Sequence, residues 1–273
     1  MVKIGKMRFL YLIVFLTSSV FGVSSLELAQ NIVADSGKKR QIDLLFAHQE
    51  LNDNKGNLDI ERISRILKTN SLLNLTLPSP QTLRLNFKAK SDAVLFFKII
   101  NEALNEAGYV YFIPVHLNLS KGEIDYTIQV ESQYVLDPGT FYRILRANSV
   151  YIEDIRQSAK NYYEYELDFS EARLETNVNL ALNVTKNLEK PLRDYVFALK
   201  GAKSISIEAN AADSWFAKIL FLDKNLNLIS AIKNDKKNNS FSGSIPSGAV
   251  YAIVSDMYNL DNIKRGLKIT LKR

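Results

Sequence analysis

The stretch that decides the fold is Ile124-Asp125-Tyr126-Thr127-Ile128-Gln129-Val130-Glu131. Apolar and polar side chains alternate throughout it, which is typical of an antiparallel strand with one buried face and one solvated face. The turn Lys121-Gly122 precedes it, and a strongly apolar run over 109–119, interrupted at Pro114, comes before that turn. The pattern therefore predicts two neighbouring strands joined by a short turn.

Helical and extended patterns alternate on both sides of this pair. Upstream, residues 83–87 alternate as a strand, and Ser91 or Asp92 then caps a helix that ends at Gly108. Downstream, a short helix over 137–145 leads to a strand over 149–155, and residues 163–169 extend or follow that strand. The order β-α-β-β-α-β predicts a ferredoxin-like domain, with a four-stranded sheet under two helices. The apolar face of the first of these helices is expected to comprise Ala93, Phe96, Phe97, Ile100, Leu104 and Ala107.

The rest of the chain divides into further segments by its composition and periodicity. Because these segments add helices and a separate all-β unit to the ferredoxin-like domain, the predicted fold class is α+β. Residues 26–76 are predicted to be helical and to precede the ferredoxin-like domain, which occupies 77–170. Residues 171–192 are polar and weakly periodic, which indicates a linker or a final helix. From 193 to 273 short strands recur every 8 to 12 residues, which predicts an all-β sandwich.

The strands of this C-terminal segment carry a specific pattern of residues. The pattern comprises Asp194-Tyr195-Val196-Phe197-Ala198-Leu199, Gly201, Ile219-Leu220-Phe221-Leu222-Asp223, Leu228, Ile245-Pro246-Ser247-Gly248-Ala249-Val250-Tyr251-Ala252-Ile253-Val254 and Leu267-Lys268-Ile269-Thr270-Leu271. It resembles the bacterial pre-peptidase C-terminal domain. The chain departs from that family at Ala249-Val250 and at Asp213-Ser214-Trp215. The resemblance implies a jelly-roll-like sandwich that is not itself catalytic and serves in binding or assembly.

Residues 1–25 have the order of a secretory signal peptide. Basic residues open the chain, an apolar run over 9–21 follows, and Val23 and Ser25 suit the −3 and −1 positions before a cut. The run is broken by Thr17-Ser18-Ser19 and is shorter than the roughly 20 apolar residues that a spanning helix needs. Cleavage and a periplasmic mature protein without a membrane span are therefore expected.

Composition excludes several function classes. The chain has no cysteine, so disulfides, thiolate catalysis and zinc–thiolate sites are excluded. Three of its 35 basic residues lie in the predicted signal peptide, which leaves 32 against 29 acidic residues and a net charge of +3. Such a balance lacks the concentrated basic footprint of nucleic-acid-binding domains, so no nucleic-acid partner is predicted.

Few residues suit catalysis. The two histidines, His48 and His116, are far apart in the sequence, and no nucleophile elbow or phosphate-binding loop is present. Glu164 and Glu166 would share one face of a strand, as a carboxylate-dependent hydrolase requires, although a charged solvent face explains them more simply. No catalytic residue, cofactor or metal site is therefore predicted.

Aromatic residues mark a candidate recognition surface. Tyr163 and Tyr165 would lie on one face of a strand, and Trp215, the single tryptophan, lies near a loop of the sandwich. Aromatic side chains with a polar tip suit partner or sugar contacts, although core packing is the simpler interpretation for all three.

The sequence thus favours a non-enzymatic periplasmic binding or assembly protein of a bacterial cell envelope. It would act through contacts with other envelope proteins, for example as an accessory of a secretion or flagellar machine. One alternative is a glycan- or peptidoglycan-binding module, and a second is the carboxylate-dependent hydrolase.

Overall fold

The structure, a computed structural model, describes residues 23–273, so the predicted signal peptide lies outside the described residues except at its last three positions. Three helices open the fold, and the capping residues explain where two of them begin. The helices are α1 (Ser25–Val33), α2 (Lys39–Phe46) and α3 (Ile60–Thr69). Asp59 caps α3 by accepting a hydrogen bond from the backbone N–H of Arg62 at 3.0 Å. Ser24 caps α1 by accepting one from the backbone N–H of Glu27.

Ser25 is a structural residue of this helical segment. Its side chain is fully buried, and its hydroxyl accepts a hydrogen bond from the backbone N–H of Leu51 at 2.7 Å. Ser24 and Ser25 therefore belong to the fold, and a cut after Ser25 would remove both the α1 cap and this buried hydroxyl.

A five-stranded sheet follows, with its two helices placed as the alternating patterns predict. The elements are β1 (Thr76–Lys90), α4 (Ala93–Glu106), β2 (Ile113–Ser120), β3 (Glu123–Tyr134), α5 (Pro138–Ala147), β4 (Tyr151–Ala159) and β5 (Tyr162–Asp168). The strand order of the sheet is β2-β3-β1-β5-β4. Lys121 and Gly122 both have positive φ, 52° and 82°, so the β2–β3 hairpin closes through a turn whose twist matches that of the strands.

The predicted four-stranded ferredoxin-like sheet is not confirmed. Residues 162–168 form a separate strand, which turns back at Asn161 and pairs antiparallel with β4. This second strand of the hairpin, and not the first, lies beside β1 and runs parallel to it. The hairpin therefore adds a fifth strand and moves β4 out to the sheet edge.

The apolar face of α4 fills the space above this sheet. Asp92 caps the helix through the backbone N–H of Val94 at 2.9 Å. Phe96 is fully buried, and Phe97, which is partly buried, meets the ring of Tyr126 edge-on at 5.1 Å between centroids. The buried residues of α4 are Leu95, Phe96, Ile99, Ile100, Ala103 and Leu104.

The C-terminal segment forms a β-sandwich, in which two four-stranded antiparallel sheets share one apolar core. The sheet orders are β10-β9-β12-β7 and β11-β8-β13-β6, and a short 3₁₀ turn spans Leu260–Ile263 between the last two strands of the chain. The strands are β6 (Thr185–Asn187), β7 (Tyr195–Ala198), β8 (Ser204–Ala209), β9 (Ala217–Leu222), β10 (Leu228–Lys233), β11 (Ser240–Ser244), β12 (Tyr251–Asp256) and β13 (Leu267–Lys272).

Residues 171–192 differ from the predicted linker or helix. They contain no helix, and β6 pairs antiparallel with β13. Val178, Leu180 and Leu188 are buried in the sandwich core. Val178, Leu180, Leu182 and Val184 alternate with smaller or polar residues, so this part of the segment carries a strand signal that the predicted linker or helix overlooks. Only the packed sheets show which core these side chains join.

The sandwich and the N-terminal unit also share a core. On the outward face of the β10-β9-β12-β7 sheet, Leu222 and Tyr251 are buried among residues of the N-terminal unit. The hydroxyl of Tyr251 accepts a hydrogen bond from the backbone N–H of Leu174 at 3.1 Å. Within residues 23–273, no helix has the length and apolar character needed to cross a membrane.

Candidate functional site

The structure places Tyr165, a predicted recognition residue, in the core. Its ring is 1% exposed and stacks on Phe87 at 5.3 Å between centroids, with Phe141 edge-on at 5.6 Å. Burial raises the pKa of its hydroxyl well above the ordinary value. Tyr163 lies two residues earlier on the same side of β5 and is half-buried against the same core. The prediction that these tyrosines form a recognition surface is therefore wrong for Tyr165.

Trp215 is also a core residue. Its side chain is fully buried between the sheets of the sandwich, and its indole N–H donates to the backbone carbonyl of Ser255 at 2.9 Å. A ring in this position cannot stack on a sugar without unfolding the sandwich. The prediction of Trp215 as a contact residue is corrected, and the glycan-binding interpretation loses its main residue.

Of the two carboxylates considered for catalysis, Glu164 is engaged in an ion pair. Glu164 Oε1 lies 3.1 Å from Lys88 Nζ. Burial alone would raise the pKa of Glu164, but hydrogen bonds from Ser158 and Lys88 outweigh it and lower the pKa below its ordinary value. The hydrogen bond to Glu164 likewise raises the pKa of Lys88. An acid held in its ionised form cannot serve as the proton donor of a hydrolase.

These residues belong to the polar face of the five-stranded sheet, opposite its helices. A shallow depression of about 920 Å³ lies on this face. At its floor, Asn86 is buried and its amide donates to Asp125 at 2.6 Å and to Thr127 at 2.9 Å. Within the described residues, Asn86 Oδ1 has no hydrogen-bond partner. Arg84 and His116 line the same depression, and no group of three potential metal ligands occurs among residues 23–273.

Strand β2, at one edge of this sheet, is an apolar part of the described surface. All eight of its residues are exposed, and Leu117 and Leu119 are 49% and 52% exposed although they lie on the helix side of the sheet. Within the described residues, β2 makes ladder hydrogen bonds to β3 alone, so its outward N–H and C=O groups face solvent. Val110 and Tyr111, just before the strand, are also exposed and line a depression together with Ile113.

The opposite edge of the same sheet is covered. Helix α1 packs along β4, and Leu28 and Ile32 of this helix are buried in the core. Asn31 donates from its amide to Asp154 Oδ1 at 3.1 Å. Natural proteins commonly protect sheet edges with charges, prolines, bulges or a covering element. Here a helix covers β4, whereas β2 has only Pro114 and the register shift between Pro114 and His116, both near the start of the strand.

The sequence contained a signal for this edge. No Asp, Glu, Lys or Arg occurs between Glu106 and Lys121, so the strand lacks the charges that usually protect an exposed edge. The apolar run over 109–119 predicts a strand but does not show whether that strand is interior, because sequence periodicity cannot distinguish a central strand from an open edge.

Comparisons with known proteins give no family. No protein-family model matches the chain, and no curated protein matches it. Among solved structures, the chain aligns with one described as "Structure of infectious bursal disease virus Gx strain", at 11% sequence identity and a TM-score of 0.14 over 71% of this chain. The chain spans about half, 52%, of that viral chain. A TM-score this low does not indicate a shared fold. The resemblance to the pre-peptidase C-terminal domain stays a prediction.

Proposed function

We propose that this chain is a non-enzymatic binding or assembly protein of a bacterial envelope, which binds an extended segment of another protein chain beside β2. The observation that carries the proposal is an apolar, uncharged edge strand whose eight residues are all exposed. An incoming strand would satisfy the outward backbone groups of β2 and cover Leu117 and Leu119, as in recognition by strand addition. The fitting segment is extended, uncharged and apolar at alternate positions.

The arrangement of the polar face supports binding over catalysis. Glu164 is ion-paired with Lys88, and Asn86 uses its amide within the sheet. Hydrogen bonds from Ser158 and Lys88 hold Glu164 in its ionised form, so it is not available as a proton donor. The β2 edge, by contrast, offers apolar side chains and backbone groups that have no ladder partner among residues 23–273, and both suit a protein partner.

The test of this surface is Leu117→Lys. A lysine here would place an ammonium group against the apolar side of the added strand and remove about 1.5 kcal/mol of apolar contact, which corresponds to about tenfold weaker binding. Crosslinking and affinity capture from native cells should therefore recover less of the partner proteins with the variant than with the unaltered chain.

Leu44→Lys is the matched control, because Leu44 is 74% exposed on α2, away from β2. Both variants should keep the circular dichroism spectrum and melting temperature of the unaltered chain, since both side chains are exposed. Equal capture by all three proteins would reject β2 as the docking edge.

We further infer that export precedes this role and that the signal is cut before Ser24. Cleavage after Gly22, with Val20 at −3, also fits a signal-peptide site and would keep the α1 cap and the buried Ser25 hydroxyl. Intact-mass analysis of the protein from a periplasmic fraction should give a chain that begins at Val23. A mature chain that begins at Leu26, or an uncut cytoplasmic chain, would contradict this inference.

A further inference from the structure

We propose that the strand which adds beside β2 is β2 of a second copy of this chain. This inference rests on the proposed function, because it names the occupant of the same edge. It requires that the edge be complementary to itself, since a twofold interface brings the same surface of both copies together.

The segment able to pair is His116–Ser120. Pro114 has no backbone N–H to donate, and the β2–β3 register shifts between Pro114 and His116. These two features disfavour pairing at the start of the strand. From His116 to Ser120 the pairing with β3 is regular. The backbone N–H and C=O groups that this segment directs away from β3 are therefore evenly spaced, as pairing with a further strand requires.

The sequence of this segment, His-Leu-Asn-Leu-Ser, is nearly symmetric about Asn118. In an antiparallel pair centred there, Leu117 would lie opposite Leu119 of the second copy, and His116 opposite Ser120 of the second copy. Residues that lie directly opposite each other in an antiparallel pair point to the same face of the sheet. The leucines of both copies would therefore meet on the helix side of the sheet, and the polar residues of both copies would meet on its other side.

Charge permits pairing with a second copy. The segment carries no Asp, Glu, Lys or Arg, so pairing it with itself brings no like charges together. Lys121 and Glu123 would lie opposite the irregular start of the other β2, at Val115 and Ile113, outside the regular ladder. The result would be one sheet that continues through both copies, with the helices of both on the same side.

The absence of cysteine makes the register testable by single thiols. Asn118→Cys would lie opposite its own copy, and directly opposed strand positions have Cβ atoms close enough for a disulfide. Under mild oxidation this variant should form a covalent dimer at least about tenfold faster than Ser240→Cys, an exposed position on the edge strand β11, because pairing raises the effective thiol concentration. A mixture of His116→Cys and Ser120→Cys should form the mixed dimer in preference to either homodimer.

Sedimentation of the unaltered chain is the second measurement. It should show a monomer–dimer equilibrium that Leu117→Lys shifts to monomer and Leu44→Lys leaves unchanged. A chain that stays monomeric at all concentrations, with Asn118→Cys no faster than Ser240→Cys, would overturn the second-copy proposal. If Leu117→Lys still lost capture of a different protein in that case, docking at β2 would stand with a different occupant.

Discussion

Trp215→Ala is expected to lower the free energy of unfolding by about 4 kcal/mol, which is in the range for removing a fully buried large aromatic side chain. The truncation would leave a cavity between the sheets of the sandwich and remove the donor to the Ser255 carbonyl, which the fold buries. Urea denaturation followed by circular dichroism would measure the change as a lower midpoint at an unchanged slope.

Tyr258→Ala is the control, because Tyr258 is an exposed aromatic residue that contacts the ring of Phe216. It should cost less than about 1 kcal/mol. A Trp215→Ala protein of unaltered stability that had lost binding to a polysaccharide would instead restore Trp215 as a recognition residue.

Gly266→Ala is expected to cost about 3 kcal/mol or more, because it combines backbone strain with a steric clash. The residue has φ of +78°, and a Cβ atom placed on it would lie 1.8 Å from the backbone carbonyl oxygen of Leu188. Residues 188–189 would have to move away from β13, which would detach β6 from its sheet. The same urea titration, with limited proteolysis of residues 171–192, would measure both effects.

Gly201→Ala separates strain from clash. Gly201 has φ of +73°, but a Cβ atom there would meet nothing within 4 Å, so only the cost of the left-handed conformation, about 1 kcal/mol, is expected. If Gly266→Ala cost no more than Gly201→Ala and left residues 171–192 resistant to protease, the segment would not be held by the sandwich as its burial indicates.

Local chemistry made several elements predictable. The carboxylates of Asp59, Asp92 and Asp137 each accept a backbone N–H at the start of a helix, and the sequence places all three beside apolar residues at helical spacing. The strict alternation over 124–131 likewise predicted β3, because the period of a strand shows directly in its side chains.

The candidate site depended on neighbours that no local pattern shows. The apolar run before Lys121 predicted a strand, yet whether Leu117 is interior or exposed depends on whether another element covers β2. Tyr165 and Trp215 are amphipathic, so their sequence suits a surface as well as a core. Their burial follows from the packing of Phe87 and Phe141 in one unit and of two sheets in the other.

By itself, the sequence determined the order of helices and strands from 83 to 155, the absence of thiol chemistry and the β-rich character of the C-terminal segment, because these follow from composition and short-range periodicity. Only the tertiary structure decided that β5 lies beside β1, that residues 171–192 complete the sandwich, and that β2 stays open while α1 covers β4. The physical reason is that strand neighbours and covered edges are set by contacts between residues far apart in the chain, which local patterns do not encode.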